Sequence, residues 1–257
     1  MNPNLAFQID NPNASGTITL EHLLSHTSGL AGDDYGVLQE NIKYTDAELV
    51  PLGEMLASLL HPQGARYDGG ANYANNEPGT NFTYSSIGIS AGAYAAEIVL
   101  NMGFDELTQK NIFDRLGMVN TSWRMAPFDN KQDQVAVMYN PINGGSTLDP
   151  LEAFTFAEYP AGSIRSNVPE LARFLTAMIN RGTYGNQQIL TPASVAAMEE
   201  PPFPGATNGS TYGLGMFVAG EDLRAHGGDD AGAATDMAYN RKTKKGVILL
   251  TNVTRRI

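Results

Sequence analysis

Apolar positions recur at two spacings along the chain, and the change from one to the other divides it. After Asp46, a candidate helix cap, Leu49, Leu52, Leu56, Leu59 and Leu60 fall three or four residues apart, which predicts an amphipathic helix. Residues 69–79 are rich in Gly and Asn and read as a loop. The Ala-rich stretch 87–100 predicts a buried helix, and 104–117 predicts another that ends at Leu116-Gly117-Met118. A further helix starts near Ser166 or Asn167, ahead of Pro169. Its Leu171, Phe174, Leu175, Met178 and Ile179 share one face, and Gly182 stops it. Beyond residue 210 the spacing shortens, and 212–218, 233–239 and 246–252 read as strands. The last two are joined by the basic turn Arg241-Lys242-Thr243-Lys244-Lys245, which reads as a solvated loop tip. Helices followed by an antiparallel meander predict the α+β class.

Composition narrows the function classes. A chain of 257 residues with 42% hydrophobic content can bury a substantial core, and 1–257 reads as one domain. A net charge of −11 and a pI near 4.7 oppose binding to phosphate backbones, so no nucleic-acid partner is expected. The absence of Cys excludes disulfides, thiolate catalysis and Cys-based zinc sites, and fits an oxidising or a reducing compartment equally. No apolar run approaches the ~18 residues of a transmembrane segment. Met1-Asn2-Pro3-Asn4 has neither the basic start nor the apolar middle of a signal peptide.

Two patterns suggest chemistry and need weighing. His22 and His26 are four apart, as zinc ligands on one helix face would be, but no Glu follows the first, so the His-Glu-x-x-His pattern fails. They read as structural residues, and no metal is implied. Gly88-Ile89-Ser90-Ala91-Gly92 matches the Gly-x-Ser-x-Gly nucleophile elbow, with Asp149 or Asp222 and then His226 following in the order an α/β-hydrolase requires. Such a fold should show alternating strands and helices before its elbow, and this chain does not. Ser90 as nucleophile is therefore the lesser alternative, beside the simpler reading that small residues let a helix pack closely.

A series of motifs carries more weight than either pattern. Ile18-Thr19-Leu20-Glu21-His22-Leu23-Leu24-Ser25-His26-Thr27-Ser28-Gly29-Leu30 resembles a signature of the class C β-lactamase-like serine hydrolases. In order along the chain, Glu77-Pro78-Gly79-Thr80-Asn81-Phe82-Thr83-Tyr84-Ser85-Ser86 is similar to the family's Pro-Gly-x-x-Phe-x-Tyr-Ser-Asn, and Leu116-Gly117-Met118 to its Leu-Gly-Met. Pro160-Ala161-Gly162-Ser163-Ile164, Tyr212-Gly213-Leu214-Gly215 and His226-Gly227-Gly228 complete the series. The resemblance covers nearly the whole chain. It implies the fold of the penicillin-binding transpeptidases and serine β-lactamases, an antiparallel sheet flanked by helices beside a helical lobe. The lobe would occupy about 31–200 and the C-terminal strands about 210–253.

The resemblance also implies acyl transfer on a small ester, a D-amino-acid peptide or a β-lactam, without metal or organic cofactor. Such chemistry needs an activated hydroxyl, a base for its proton and donors for the oxyanion. Tyr84 would be the proton-transferring partner. Ser86 stands at the family's asparagine position, where its shorter hydroxyl would touch substrate. His226 stands where the β-lactamases usually carry a lysine, with Gly227 and Gly228 lining an edge strand beside the substrate. An imidazole with a pKa near ~6.5 is mostly neutral at pH 7, which favours esters or peptides over penicillin-like anions.

The family's nucleophile lies in a Ser-x-x-Lys pair upstream of the first signature, whereas no serine of this sequence has a lysine three positions on. The expectation is an enzyme scaffold truncated at both ends and inactive by itself, with an incomplete sheet and a tendency to self-association or to recruit a completing chain. The alternative is a non-catalytic fragment or pseudoenzyme that binds a ligand or a partner. The resemblance implies a periplasmic or extracellular location.

Overall fold

The computed structural model describes residues 7–31, 42–206 and 208–254. Three helices, α1 (Leu20–Leu24), α2 (Leu52–Leu60) and α3 (Ser86–Leu100), enclose a core of Leu23, Leu56, Leu59, Tyr73, Ala91 and Tyr159. Each start has a local cause. Thr19 and His22 form a reciprocal capping box on α1, and the Ser85 side chain accepts the Gly88 N–H to cap α3. The helix expected after Asp46 begins only beyond Pro51, because a proline disfavours the helical region for the residue before it, here Val50. Asp46 instead accepts the N–H groups of Met125 and Ala126 at 2.8 and 2.9 Å, so it caps a turn 79 residues away. In α3 burial extends as far as Glu97, and Val99 is 80% exposed.

The next helical stretch comprises α4 (Phe104–Thr108), a π-turn at Gln109–Phe113 and α5 (Asp114–Leu116), stopped by Gly117 at φ +65°. Then α6 (Val168–Ile179), capped by Asn167, buries Leu175 and Met178, and the chain leaves it through Arg181 and Gly182 in the left-handed region, at φ +56° and +96°. A helix that apolar spacing did not flag, α7 (Pro192–Glu199), starts from the Thr191 cap with Pro at its first position.

Within the stretch expected to be helical lie two hairpins, β1 (Met138–Ile142) with β2 (Thr147–Leu151), and β3 (Thr183–Tyr184) with β4 (Gln187–Gln188). The main sheet is antiparallel, with the order β5 (Phe217–Ala219), β6 (Leu223–Asp230), β7 (Ala233–Asn240), β8 (Lys245–Thr251). One face packs on α6 and α7, where Leu175, Met178, Val195, Met216 and Tyr239 form a second core. Arg224, 1% exposed, is buried there with its Nε donating to the Glu199 carbonyl at 2.7 Å. On the other face of edge strand β8, Val247 and Leu249 are 61% and 55% exposed. The strand expected at 212–218 shrinks to β5, because residues 211–218 fold into a tight hairpin in which Tyr212 bridges Phe217 and Gly215 turns at φ +79°. The β7–β8 turn is less free than a solvated tip, since Arg241 pairs with Glu200 at 2.6 Å and Lys244 Nζ donates to the Ile179 carbonyl at 3.0 Å.

Candidate active site

The chain reverses after α1 and delivers His26 to the interior. Ser25 ends the helix, and the N–H of Thr27 folds back to the His22 carbonyl at 2.9 Å. His26 itself sits in the left-handed region at φ +57° and is 1% exposed. The segment leading into α3 clasps this turn: Thr83 N–H donates to the His26 carbonyl at 2.8 Å, and Gly79 N–H to the Thr27 carbonyl at 2.7 Å. From the other side the hairpin at 211–218 docks on α1, with Gly215 N–H donating to the Leu24 carbonyl at 2.9 Å. Three stretches remote in sequence therefore meet at one turn.

An aromatic cluster results. The His26 ring stacks on Tyr84 with centroids 4.1 Å apart and meets Tyr212 edge-on at 4.6 Å. Tyr212 lies 6.2 Å from His226, and Phe217 lies 6.0 Å from it. Phe82 closes the far side, 5.8 Å from His26 and 5.7 Å from Tyr212. Tyr84, from the entry to α3, and His226, from β6, thus border the same buried pair, His26 and Tyr212. Ser86 is the first residue of α3, half-buried and two positions past Tyr84.

Burial dominates the electrostatics. It pushes the His26 pKa down to about 3, helped by the neighbouring His226. It lowers His226 as well, despite an opposing backbone hydrogen bond at Gly227, so both imidazoles are neutral near pH 7. The Tyr212 phenol is raised by burial and then by Tyr84, and stays protonated. His26 Nε2 and the Tyr212 hydroxyl are buried polar atoms without a hydrogen-bond partner among the described residues. Burial and the adjacent Asp229 raise Asp230, at the end of the same strand.

Strand β6 presents an edge beside the cluster. β5 pairs only with Leu223, Arg224 and Ala225, so His226 to Asp230 have a strand neighbour, β7, on one side only among the described residues. Gly227 and Gly228 lie on this edge, but the crowding they relieve comes from β7. A Cβ at Gly227 would stand 2.8 Å from Asp236 Oδ1, and one at Gly228 would stand 2.8 Å from Thr235 Oγ1.

The two remaining motif expectations resolve differently. Ser90 is wholly buried in the interior of α3, its hydroxyl donating to the Glu158 carbonyl at 3.3 Å, so it does not occupy a strand-to-helix elbow and the α/β-hydrolase reading fails. His22 remains on α1 and stacks on Phe203 at 4.5 Å, whereas His26 lies beyond the helix end, so the two share no helix face. Sequence reasoning gave His26 only a structural role and left Tyr212 inside a motif. The His26–Tyr84 stack depends on a left-handed histidine that no periodicity signals.

An antiparallel sheet backed by helices is the architecture of the β-lactamase and penicillin-binding fold. The chain belongs to the Beta-lactamase family, whose model matches residues 7–256. It is 26% identical over 211 residues to PbpX of Bacillus subtilis (strain 168), whose name marks it as a candidate penicillin-binding protein. That match takes in 82% of this chain and 45% of PbpX, so the chain spans about half the length of the curated relative it matches. Among solved structures, a penicillin binding protein from Bacillus halodurans superposes with a TM-score of 0.74 at 18% identity, covering 100% of this chain and 73% of that one. A D-stereospecific amidohydrolase from Streptomyces sp. gives a TM-score of 0.68 at 16% identity, covering 96% and 75%. The scaffold is that of a β-lactamase-like serine hydrolase.

Proposed function

We propose that this chain forms the substrate-binding and proton-transfer part of a serine acyl-transfer site, acting on esters or D-amino-acid peptides in preference to penicillin-like β-lactams. The observation that carries this reading is the meeting of Tyr84 and His226, 142 positions apart in the sequence, around one buried His26–Tyr212 pair. In this reading Tyr84 shuttles the proton between nucleophile and leaving group, and Ser86 contacts substrate. The edge from His226 to Asp230 takes an extended substrate alongside, as an added strand would lie. A neutral His226 and the carboxyl groups of Asp229 and Asp230 supply no cation for a substrate carboxylate, which disfavours penicillins. The Streptomyces protein is named for amide hydrolysis, and its shared fold makes amide chemistry compatible with this scaffold. We place the site in a periplasmic or extracellular protein on the resemblance alone.

Because no serine here has a lysine three positions on, the nucleophile comes from a segment carrying Ser-x-x-Lys, in the same or a completing polypeptide. Intact-mass measurement after incubation with a penicillin or a fluorophosphonate tests this. The 257-residue chain should stay unmodified, and the chain supplied with such a segment should gain one adduct. A stoichiometric adduct on the chain alone would refute the reading. Strong preference of the supplied enzyme for penicillins over short-chain esters would refute the role given to His226.

A further inference from the structure

We infer that His26 is the positioning residue of Tyr84. This rests on the reading of Tyr84 as the proton-transfer group, and it extends that reading to a residue whose sequence pattern suggested only a structural role. The geometry is a three-point hold. The His26 carbonyl accepts the N–H of Thr83 at 2.8 Å, its Nδ1 accepts the N–H of Ser85 at 3.0 Å, and its ring stacks on the Tyr84 ring at 4.1 Å with planes 29° apart. Main chain on both sides of Tyr84, and the side chain itself, are thus fixed by one residue. Tyr84 then has little freedom to swing away from the cluster.

The chemistry of the imidazole suits this duty. Ser85 donating to Nδ1 assigns the ring proton to Nε2, since a neutral imidazole has one donor and one acceptor nitrogen. Protonation would destroy the Nδ1 acceptor, and burial prevents it. Tyr212 presses edge-on against the other side of the ring, and Phe82 fills the remaining side, so the ring cannot rotate out.

A turn alone would not call for histidine. At φ +57° glycine or asparagine is the less strained choice. His26 bears that strain and also buries an Nε2 without a partner. Both penalties fall on the residue that touches Thr83, Tyr84 and Ser85 together, and strained conformations of this kind gather where geometry has to be held for function. Neither penalty is needed to turn the chain.

The test reads the order of Tyr84, with no reaction involved. 3-Fluorotyrosine is placed at position 84 and, as a remote control, at position 184, and the ¹⁹F spectra of the parent chain, His26→Ala and His26→Asn are compared. The inference expects one narrow resonance at 84 in the parent. In His26→Ala it should broaden at least about twofold or split, with the resonance at 184 unchanged. Asn can accept the Ser85 N–H and tolerates the left-handed region but cannot stack, so His26→Asn should fall between the two. A folded His26→Ala whose Tyr84 resonance stays single and narrow overturns the inference, whatever happens to its melting temperature. Should His26→Ala not fold, His26→Asn decides by the same criterion. Should neither fold, amide exchange of the unsubstituted chain decides: Thr83 and Ser85 protected about a hundredfold or more over free peptide rates support the hold, and free exchange overturns it. If Tyr84 instead proves idle in turnover, the proton-transfer reading falls while the ordering result stands, so the two failures remain distinct.

Discussion

Acidification should begin to destabilise this protein through His26 before most of its carboxylates titrate. The folded pKa of about 3 lies below the ordinary 6.5, so in between it is the unfolded chain that binds the extra proton. The sign follows. This contribution to stability is complete above pH 6.5 and is lost as pH falls through the interval from 6.5 to about 3. Within that interval the slope approaches about 1.4 kcal/mol per pH unit. Between pH 7 and pH 5 the loss from this one ring is therefore roughly 2 kcal/mol, or about 4 °C in melting temperature for a chain of this size. His22 and His226, also lowered chiefly by burial, act with the same sign, so the whole protein loses more. Urea unfolding followed by circular dichroism at the two pH values, on the parent and on His26→Asn, isolates the share of His26. The variant should start less stable and then lose roughly 2 kcal/mol less on acidification. Losses equal to within about 0.5 kcal/mol would show that His26 is no more buried from protons in the folded protein than in the unfolded chain.

In the chain supplied with a Ser-x-x-Lys segment, Tyr84→Phe should lower kcat by roughly 100-fold or more, and an unchanged rate of ester hydrolysis would remove Tyr84 from the mechanism. Gly182→Ala should destabilise by roughly 3 kcal/mol in urea unfolding, because it combines left-handed strain with overpacking. The added Cβ would stand 2.1 Å from the Leu190 carbonyl oxygen at φ +96°, so a loss under about 1 kcal/mol would mean that the turn relaxes freely. Tyr239→Phe removes the hydroxyl that donates to the buried Glu199 at 2.8 Å. It should cost about 1–3 kcal/mol, and a neutral result would show that Arg241 and water replace the bond.

The sequence by itself determined what depends on neighbours along the chain. Helix α6 is legible because Asn167, Pro169, the apolar face through Met178 and Gly182 are all local signals, and α3 and the end of the 104–117 stretch at Gly117 are legible for the same reason. The ordered motifs gave the family, and with it the expectation, carried into the proposal above, that Tyr84 and His226 act in the site. Local signals failed where a distant partner takes the residue. Asp46 looks like a cap for the following helix but serves the turn at Met125 and Ala126, and Ser90 matches an elbow yet is sealed inside α3. β6 carries no alternating pattern because Gly227 and Gly228 stand where a Cβ would crowd the β7 side chains of Asp236 and Thr235. Only the tertiary structure decided that His26 belongs with Tyr84. Its place there is set by contacts to Thr83, Tyr84, Ser85 and Tyr212, and a contact between residues 59 or 186 positions apart leaves no trace in local spacing. Hydrophobic periodicity reports which face of an element is buried. Which polar groups meet inside is fixed by the packing of elements against one another.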